Sequence, residues 1–539
     1  MSNALKNINN HKAAQTVKAS PEQVENNAGG YVFAVSDKSR LERFLILGTD
    51  GGTFYVGEKK LTEEKAEFVK ALIAKDEKLV RETMVSVAEE NRAVRVSPTI
   101  FTAALLHTYG ADKEALRAAL PKILRTSTHL FEYAQYVKNL GGWGRSKRNA
   151  VKDWYESKTA DQMALQLVKY RQRNGWTHRD LLRLSHAKPE AALAQFALGK
   201  DIEGDVPNVI RGYLAVSNAK SIKEVLAIVS EHPELPWEAI PTEFHKSAEL
   251  WKALFRSGSL RGTALLRNVT RLARLDAFTD LDFAADYAKE LSDPDAVKRS
   301  RLHPINYLNA SVVYADGSIS RSSGNYAYGR NKDWTTESMI ADALDRGFYA
   351  AFGNVEPANK RNLVAVDVSG SMASPAMGLD LSCAQVAGAM AMVLARTEPK
   401  TLVRGFTSPA GRLYGGVTEL MDLGVTKNDT LPQVMKKVSD LNFGATDCSM
   451  PMEWARENNV AIDTFTVITD NETYAGRVHP FQAVKNYRKA TGINARLAVF
   501  GVSATDFTIA DPRDPGMMDF VGFDSAAPKV FTDFSAGRL

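Results

Sequence analysis

Residues 361–373 read RNLVAVDVSGSMA, and this stretch decides the fold of the C-terminal part of the chain. The apolar run Leu363–Val366 is long enough for one buried parallel strand and too short for a helix. It leads into Asp367, Ser369 and Ser371, a carboxylate and two hydroxyls at alternate positions. Such hard oxygen ligands suit a small cation such as Mg²⁺. The alternative interpretation is a serine-capped turn before the following helix.

Two later stretches favour the cation site. Gly444–Asp447 is typical of a turn before a helix, and the apolar strand Phe465–Thr469 is followed by an acidic residue. In an open α/β sheet, ligands gather at the carboxyl ends of parallel strands. The residues that we expect to bind Mg²⁺, or another divalent cation, are Asp367, Ser369, Ser371, Thr446 and Asp470.

Beyond Arg361 the sequence alternates between strands and helices, which predicts a doubly wound sheet. The predicted strands are 363–367, 401–406, 463–469 and 495–501. The predicted helices are 380–396, 431–439, 448–458 and 480–490.

The preceding part of the chain has a helical pattern from Thr62 to about Leu302. Helix pairs on a spacing of roughly 35–45 residues predict an α-solenoid of the HEAT type. The predicted helices include 62–74, 76–91, 98–109, 112–124, 127–139, 159–173 and 178–187. The predicted strands before them are Tyr31–Val35, Phe44–Leu47 and Thr53–Val56, with a hairpin loop at the glycine-rich residues 48–52. Residues 303–360 read as an irregular connector that returns to short strands.

Length and composition set further bounds. The chain has 539 residues, of which 44% are hydrophobic and 24% charged, so we expect a globular protein of two or more domains. The polar residues 1–30 read as a flexible N-terminal arm. The longest run without a polar side chain, Val386–Ala395, is about half a membrane span. The two cysteines lack metal-site spacing, and together these features favour a cytoplasmic protein that has no contact with a membrane.

Positive charge is concentrated in residues 138–188. This segment holds twelve Lys or Arg residues and four acidic residues, a net charge of +8, whereas the whole chain carries +5. A concentrated basic patch indicates a protein that binds a polyanion. The alternative is a solvated helical face.

Basic residues within this segment follow glycine and share helix faces. Asn139–Arg145 places three glycines before a helix predicted to begin near Ser146, where free amides attract phosphate. Trp143 either stacks on an exposed base or fills a gap in the core. In the predicted helix 160–174, Lys169 and Arg173 lie one turn apart and away from the buried stripe. The basic residues at the start of the first helix are Arg145 and Lys147, and those on one face of the helix from residue 178 are Arg179, Arg183 and His186.

A row of arginines follows in the predicted helix Leu260–Leu275. Its apolar residues Leu265, Val269 and Leu272 face one way, and an uncompensated basic row faces nearly opposite. Such a row suits a groove or ring interior that meets phosphate. The arginines of the row are Arg267, Arg271 and Arg274.

The sequence contains no pattern for nucleophilic or phosphate-loop catalysis. The nine histidines are scattered, and neither Gly-x-Ser-x-Gly nor Gly-x-x-x-x-Gly-Lys occurs. The expected cation site has few acids and no second-metal cluster, which disfavours a nuclease. We therefore expect a protein that is not an enzyme.

Several motifs together resemble those of the Ro autoantigen family, the proteins of Ro–Y RNA particles. The longest of them is YRQRNGWTHRDLLRLSHAK over residues 170–188. The other matching motifs are Gly142–Arg145, Thr263–Asn268, Asp367–Met372, Thr469–Thr473 and Phe507–Pro512. The five expected metal ligands resemble the metal-ion-dependent adhesion site of von Willebrand factor A domains.

The resemblance implies a ring of HEAT-like repeats over residues 31–360, the TROVE module, closed by a von Willebrand factor A domain over residues 361–539. It implies that small noncoding Y RNA binds the outer surface of a monomeric ring through Lys169, Arg173 and His186. Single-stranded ends of misfolded RNA would enter the central hole, for RNA quality control and stress survival. Bacterial members work beside exoribonucleases.

Two other functional classes remain open at this point. One is an adapter without a primary RNA role, in which the metal captures a carboxylate of a protein partner. The other is a metal-dependent hydrolase. The basic segment separates RNA binding from the adapter, because a receptor for a carboxylate needs no such concentration of positive charge.

Overall fold

The computed structural model describes residues 13–48, 58–93, 95–317, 333–353, 356–376, 381–407, 419–439 and 444–539. It contains a long succession of helices followed by an α/β sheet. None of the helices in these ranges is both long and apolar enough to cross a bilayer. The predicted strand Thr53–Val56 and most of the predicted hairpin loop before it lie outside the described residues.

The first described residues pack on the C-terminal domain. Strands β1 (Gln23–Glu25) and β2 (Tyr31–Ala34) pair antiparallel, and β2 also pairs antiparallel with a short strand over Phe507–Thr508. The apolar side chains of Val32 and Phe33 are buried in the core of that domain. Residues 13–30 were predicted to belong to a flexible arm, but they are held by this sheet and by buried hydrogen bonds.

The helical part begins at residue 37 and continues to residue 350. Its helices are α1 (Asp37–Leu47), α2 (Glu58–Glu89), α3 (Ser97–Tyr109), α4 (Lys113–Ile123), α5 (Ser127–Asn139), α6 (Arg145–Glu156), α7 (Ala160–Lys169), α8 (His178–Ser185), α9 (Ala191–Leu198), α10 (Asn208–Ser217), α11 (Ile222–Glu231), α12 (Ala248–Arg256), α13 (Thr263–Arg274), α14 (Leu281–Ser292), α15 (Pro294–Ser300), α16 (Pro304–Asp316) and α17 (Ser338–Ala350). A hairpin of two strands, β3 (Gln172–Arg173) and β4 (Trp176–Thr177), lies between α7 and α8.

Successive helices pack on one another along this part, and their buried side chains form one continuous apolar core. Helix α2 bends at Asp76, whose φ and ψ of −153° and 77° are not helical, where the sequence predicted a break between two helices. Early and late helices of the succession meet. Asn91, which follows α2, donates from its side-chain Nδ2 to the carbonyl oxygen of Arg301, which follows α15, at 2.5 Å. The Arg301 guanidinium donates to the carbonyl oxygen of Glu89, so the helical succession closes on itself.

The predictions for two segments, one near each end of this part, are wrong. Phe44–Leu47 is the last turn of α1 and not a strand, because Leu41, Phe44 and Leu45 bury one helical face. The predicted irregular connector over 303–360 contains α16 and α17. His303 caps α16 by accepting from the Ile305 amide. The apolar faces of both helices bury against each other, and this packing decides their structure.

The C-terminal domain is built on a six-stranded sheet. Its strands are β5 (Asn362–Asp367), β6 (Thr401–Thr407), β7 (Glu419–Asp422), β8 (Thr464–Thr469), β9 (Arg496–Gly501) and β11 (Met517–Val521), with β10 (Phe507–Thr508) in the small sheet described above. The strand order is β11-β9-β8-β5-β6-β7, and only β7 is antiparallel to its neighbour. The helices of this domain are α18 (Cys383–Thr397), α19 (Leu431–Ser439), α20 (Met450–Glu457), α21 (Pro480–Thr491) and α22 (Ala527–Ala536).

Alternating residues of the central strand pack on opposite faces of the sheet. Leu363 and Ala365 belong to one buried cluster, and Val364 and Val366 belong to the other. The second cluster is continuous with the core of the helical part. The strand–helix alternation predicted from the sequence is therefore correct, and it places the carboxyl ends of β5 and β8 side by side.

Candidate functional sites

The expected metal ligands come together at the carboxyl edge of the sheet. Asp367 is the last residue of β5, and Asp470 follows the last residue of the neighbouring parallel strand β8. The amide of Ser369 donates to Asp367 Oδ1 at 2.9 Å, and the hydroxyls of Ser369 and Ser371 lie 3.2 Å apart. The Ser371 hydroxyl also hydrogen-bonds to the Asp470 carboxyl. These four side chains form one buried cluster.

Thr446 belongs to the third loop at the same edge. The amide of Gly370, between the two serines, donates to the carbonyl oxygen of Gly444 at 2.9 Å. The carbonyl oxygen of Thr446 accepts from the amides of Tyr474 and Ala475, in the loop that follows Asp470. The backbone thus joins the three loops that carry the expected ligands.

The electrostatics of this cluster fit a divalent cation. Burial raises the pKa of both Asp367 and Asp470, and the nearby Asp470 carboxylate raises the pKa of Asp367 further. Among the described residues, neither forms an ion pair with a Lys, Arg or His side chain. Two buried carboxylates with hydroxyls beside them are a donor set that suits Mg²⁺. No group of three or more His, Cys, Asp or Glu side chains in the described part of the chain is arranged to hold a metal ion.

The basic segment does not have the helix that the sequence predicted over 160–174. Helix α7 ends at Lys169, and Arg173 lies in the β3–β4 hairpin. Asn174 and Gly175 connect the strands with φ angles of 51° and 76°. Positive φ at both central residues is the conformation that an Asn-Gly hairpin turn requires, so this dipeptide ends the helical pattern. Lys169 and Arg173 are therefore not one helical turn apart.

Both residues nevertheless lie on the same small region of surface. They are four positions apart in the chain, which limits the distance between their Cα atoms to about 14 Å. Lys169 is partly buried, with its ammonium 3.9 Å from the Glu238 carboxylate, while Arg173 is exposed opposite Trp176.

His178 fixes the hairpin to the helices behind it. Its imidazole is buried, with Nδ1 2.8 Å from the Tyr155 hydroxyl and Nε2 3.0 Å from the Tyr170 carbonyl oxygen. Burial lowers the pKa of His178 to about 4, so the ring is neutral near pH 7. Helix α8 starts immediately at this residue, with Thr177 and Asp180 forming a reciprocal capping box. The sequence around His178 does not indicate this structural role, because its partner Tyr155 lies on another helix.

The predicted basic residues of α8 are exposed. Arg179 and Arg183 lie on the exposed face of the helix. His186 is also exposed, but it follows the last helical residue with a left-handed φ of 56°. The three side chains thus lie on one exposed stretch, although His186 does not continue the helical face.

The loop before α6 adjoins the same hairpin. Trp143 packs edge-to-face on Trp176, with ring centroids 5.7 Å apart, and contacts the apolar core. Of the two interpretations of Trp143, this contact favours the one in which it fills a gap in the core, rather than the one in which it stacks on a base. Lys147 donates to the Gly142 carbonyl oxygen at 3.1 Å, and Arg145 is exposed at the start of α6. The term hairpin surface is used below for Arg145, Lys147, Lys169, Arg173, Arg179, Arg183 and His186.

The arginine row on α13 has the predicted orientation. Leu265, Val269 and Leu272 are buried, while Arg267 and Arg274 are exposed. The term arginine row is used below for Arg267, Arg271 and Arg274.

Arg271 differs from its two neighbours because aromatic side chains hold it. Its guanidinium lies 5.3 Å from the ring centroid of Trp237 and 4.9 Å from that of Trp251, and it donates to Asn268 Oδ1 at 2.9 Å. Glu238, which contacts Lys169, immediately follows Trp237. The segment Trp237–Glu238 therefore contacts both the hairpin surface and the arginine row. The spacing of residues along α13 does not indicate the contact between Arg271 and Trp237.

Comparison with known proteins identifies both the helical part and the C-terminal domain. The TROVE domain matches residues 24–214 and 230–323, and the Ro60 vWA domain matches residues 361–535. The chain belongs to the Ro60 family. The predicted fold class, a ring of HEAT-like helical repeats closed by a von Willebrand factor A domain, is confirmed.

Individual Ro60 relatives match along their whole length. RNA-binding protein RO60 of Deinococcus radiodurans is 39% identical, with all of both chains covered. RNA-binding protein RO60 of Caenorhabditis elegans is 34% identical over 97% of this chain and 92% of its own length. The crystal structure of the Deinococcus radiodurans RO (RSR) protein is similar with a TM-score of 0.67 and 38% identity, covering 94% of this chain and 100% of that one.

Proposed function

We propose that this chain is an RNA-binding protein without enzymatic activity that acts as the protein component of a Ro ribonucleoprotein. The observation that carries the proposal is the hairpin surface. Its basic side chains come from α6, α7, the β3–β4 hairpin and α8, and the hairpin itself is exposed. The names of the Ro60 relatives support RNA as the polyanion. A receptor for a protein carboxylate would not need this surface.

The two basic regions would bind different RNA structures. The hairpin surface is exposed, and its cations suit the phosphates of a folded noncoding RNA of the Y type. The arginine row carries the exposed guanidiniums of Arg267 and Arg274 on either side of Arg271, which packs on the Trp237 and Trp251 rings. This arrangement suits the single-stranded end of a misfolded RNA in the hole of the ring. Together they would select RNAs for quality control, processing or decay, beside an exoribonuclease in the cytoplasm. The ring itself would be monomeric.

Mg²⁺ would be held at the edge of the sheet by the five predicted ligands. Bound there, the ion would supply positive charge to two buried carboxylates and an open coordination position for an oxygen ligand. The side chains of the protein orient the site through Ser369 and Thr469. The Thr469 hydroxyl donates to Asp367 Oδ2 at 2.6 Å, which fixes the direction of that carboxylate. The ligands are Asp367, Ser369, Ser371, Thr446 and Asp470.

The proposed function is tested by sequencing the RNA that co-purifies with the native full-length protein. We expect a small set of structured noncoding RNAs to be enriched over total cellular RNA, together with RNAs that have single-stranded ends. Recovery of RNA in proportion to cellular abundance, or of no RNA, would contradict the proposal.

A further inference from the structure

Residues 13–30, called the arm below, touch two of the three loops that carry the expected metal ligands. The arm enters this region at Gln15, whose side chain is fully buried. Its backbone amide donates to the carbonyl oxygen of Gly476 at 3.0 Å, and its carbonyl oxygen accepts from the Tyr31 amide at 2.8 Å. The arm is thereby joined both to β2 and to the loop after Asp470.

The Gln15 side chain connects these loops directly. Its Nε2 donates to Asp447 Oδ1 and to the Val478 carbonyl oxygen, both at 2.8 Å. Its Oε1 accepts from the Thr473 hydroxyl at 2.5 Å and from the Gly476 amide at 3.2 Å. Asp447 belongs to the Thr446 loop, whereas Thr473, Gly476 and Val478 belong to the Asp470 loop. The buried side-chain amide is therefore bonded to both loops.

These partners are close neighbours of expected metal ligands. Asp447 follows Thr446, and Thr473 lies three residues after Asp470. The Gly370–Gly444 hydrogen bond joins the Asp367 loop to the Thr446 loop, and the Ser371–Asp470 hydrogen bond joins the Asp367 loop to the Asp470 loop. Gln15 therefore supplies a side-chain connection between the Thr446 loop and the Asp470 loop.

A second part of the arm, residues 26–30, also contacts the Asp470 loop. Asn26 Nδ2 donates to the Thr473 carbonyl oxygen at 2.9 Å. Asn27 Nδ2 and the Ala28 amide donate to the two carboxylate oxygens of Glu472, at 2.7 Å and 3.2 Å. Gly30 packs so closely on Thr473 that a Cβ atom there would overlap the carbonyl group. The arm and this loop are fitted to each other without room for adjustment.

We propose that the arm is a positioning element of the metal site, and that arm docking and divalent-cation binding stabilise each other. This inference rests on the proposed Mg²⁺ site. Cation binding requires ligands from separate loops at fixed spacing, and Gln15 reinforces the backbone contact between the Thr446 loop and the Asp470 loop with side-chain hydrogen bonds to both. Partners one step beyond the ligands typically change metal affinity when they are removed. Coupling of this kind is reciprocal, so the bound cation must also hold the arm in place.

The test uses the full-length protein and Gln15→Ala, Asn27→Ala and Glu22→Ala variants. Glu22 is the matched control, because it lies on the arm and its side chain contacts Ser20 and Arg513, away from the metal loops. Titration calorimetry with MgCl₂ measures the affinity of protein first stripped with EDTA. We expect Gln15→Ala to weaken binding on the order of tenfold and Asn27→Ala to weaken it by a smaller factor, with Glu22→Ala unchanged.

Hydrogen exchange supplies a second measurement that does not depend on the calorimetric signal. Addition of Mg²⁺ should slow exchange of the amides in residues 13–30 of the natural protein, and at the same Mg²⁺ concentration this slowing should be smaller in Asn27→Ala. Asn27 is exposed, so the variant keeps the core intact and decides the matter if Gln15→Ala fails to fold. Circular dichroism shows which variants fold.

Two results would overturn the inference, and they differ in what else they overturn. If the natural protein binds Mg²⁺ and Asn27→Ala binds it equally well with an unchanged exchange pattern, the arm has no positioning role while the metal site stands. If the natural protein binds no divalent cation, the proposed metal site and the inference are both wrong. The RNA-binding proposal is independent of either result.

Discussion

The guanidinium of Arg92 forms hydrogen bonds from Nε and Nη2 to the same carboxylate oxygen of Asp524, at 2.8 and 2.6 Å. Arg92 follows α2 in the helical part, whereas Asp524 follows β11 in the C-terminal domain. Both side chains are largely buried, and they lie beside the Asn91–Arg301 hydrogen bond at which the helical succession closes. The closure of the ring and its attachment to the C-terminal domain therefore lie at neighbouring residues, Asn91 and Arg92.

We expect Arg92→Ala to lower the free energy of unfolding by about 3 kcal/mol, because it leaves the buried Asp524 carboxylate without its cation. Urea denaturation followed by circular dichroism measures the change. Arg211→Ala is the control, since its ion pair with Asp205 is exposed and should contribute little. If the two variants are destabilised equally, the Arg92–Asp524 contact does not hold the closure.

A second prediction concerns pH and the same junction. His303 is buried against Phe523, and burial lowers its pKa to about 4, compared with about 6.5 in an unfolded chain. As the pH falls below 6.5, His303 binds a proton in the unfolded state but not in the folded state. This one group therefore removes about 1.4 kcal/mol of stability per pH unit between about pH 6.5 and pH 4. Burial also lowers the pKa to about 4 at His107 and His178, and at the half-buried His129.

A His303→Asn variant isolates this contribution. Asparagine retains a side-chain oxygen that can cap α16, but it does not titrate. The stability advantage of the natural protein over the variant should shrink as the pH is lowered from 7 to 5, as measured by urea midpoints. An advantage that stays constant over this range would show that His303 is not held neutral by its burial.

The metal site supplies a third prediction. Asp367→Ala and Asp470→Ala should each abolish the rise in Tm that Mg²⁺ produces, because each removes a carboxylate ligand, and RNA affinity should remain mostly intact. Asp533→Ala removes an acidic residue elsewhere in the domain and should leave the Mg²⁺ effect unchanged. Differential scanning fluorimetry with and without EDTA gives the Tm values. A ribonuclease activity of the purified protein that either metal-site variant abolished would revive the hydrolase interpretation.

The sheet and its ligands were predictable because strand ends carry local signals. Short apolar runs ended in Asp367 and just before Asp470, and parallel pairing of such strands brings their ends together without further information. The Asn174-Gly175 turn also had a local signal. It was misread because the apolar spacing of Met163 and Leu167 continued by chance to Tyr170, whereas positive φ at two successive residues ends any helix.

Contacts between distant segments were beyond such reasoning. The polar composition of residues 13–30 predicts a loose arm, because nothing in that stretch shows that Asp447 and Thr473 form hydrogen bonds with Gln15. Periodicity likewise placed Arg271 on the polar face of α13, but it carried no information about Trp237 and Trp251, which pack on the guanidinium from elsewhere in the chain. Burial of a polar residue by a remote partner leaves no local pattern.

The central claim is that the hairpin surface binds folded RNA and that the arginine row binds single strands. Electrophoretic or fluorescence titrations of a structured noncoding RNA and of an unstructured single strand, at matched salt, test it most directly. The compared variants are Lys169→Ala with Arg173→Ala, and Arg267→Ala with Arg274→Ala. Lys489→Ala with Lys529→Ala is the control, because it removes two exposed charges from the C-terminal domain.

The account predicts that the Lys169 and Arg173 variant loses affinity mainly for the structured RNA, and the Arg267 and Arg274 variant mainly for the single strand. Each ionic interaction with a phosphate that a substitution removes should decrease the magnitude of the slope of log K against log salt by roughly 0.7–0.9. The control should bind both RNAs as the natural protein does. Equal reductions in affinity for both RNAs in both basic-surface variants would contradict the account, because they would mean that a single surface binds both.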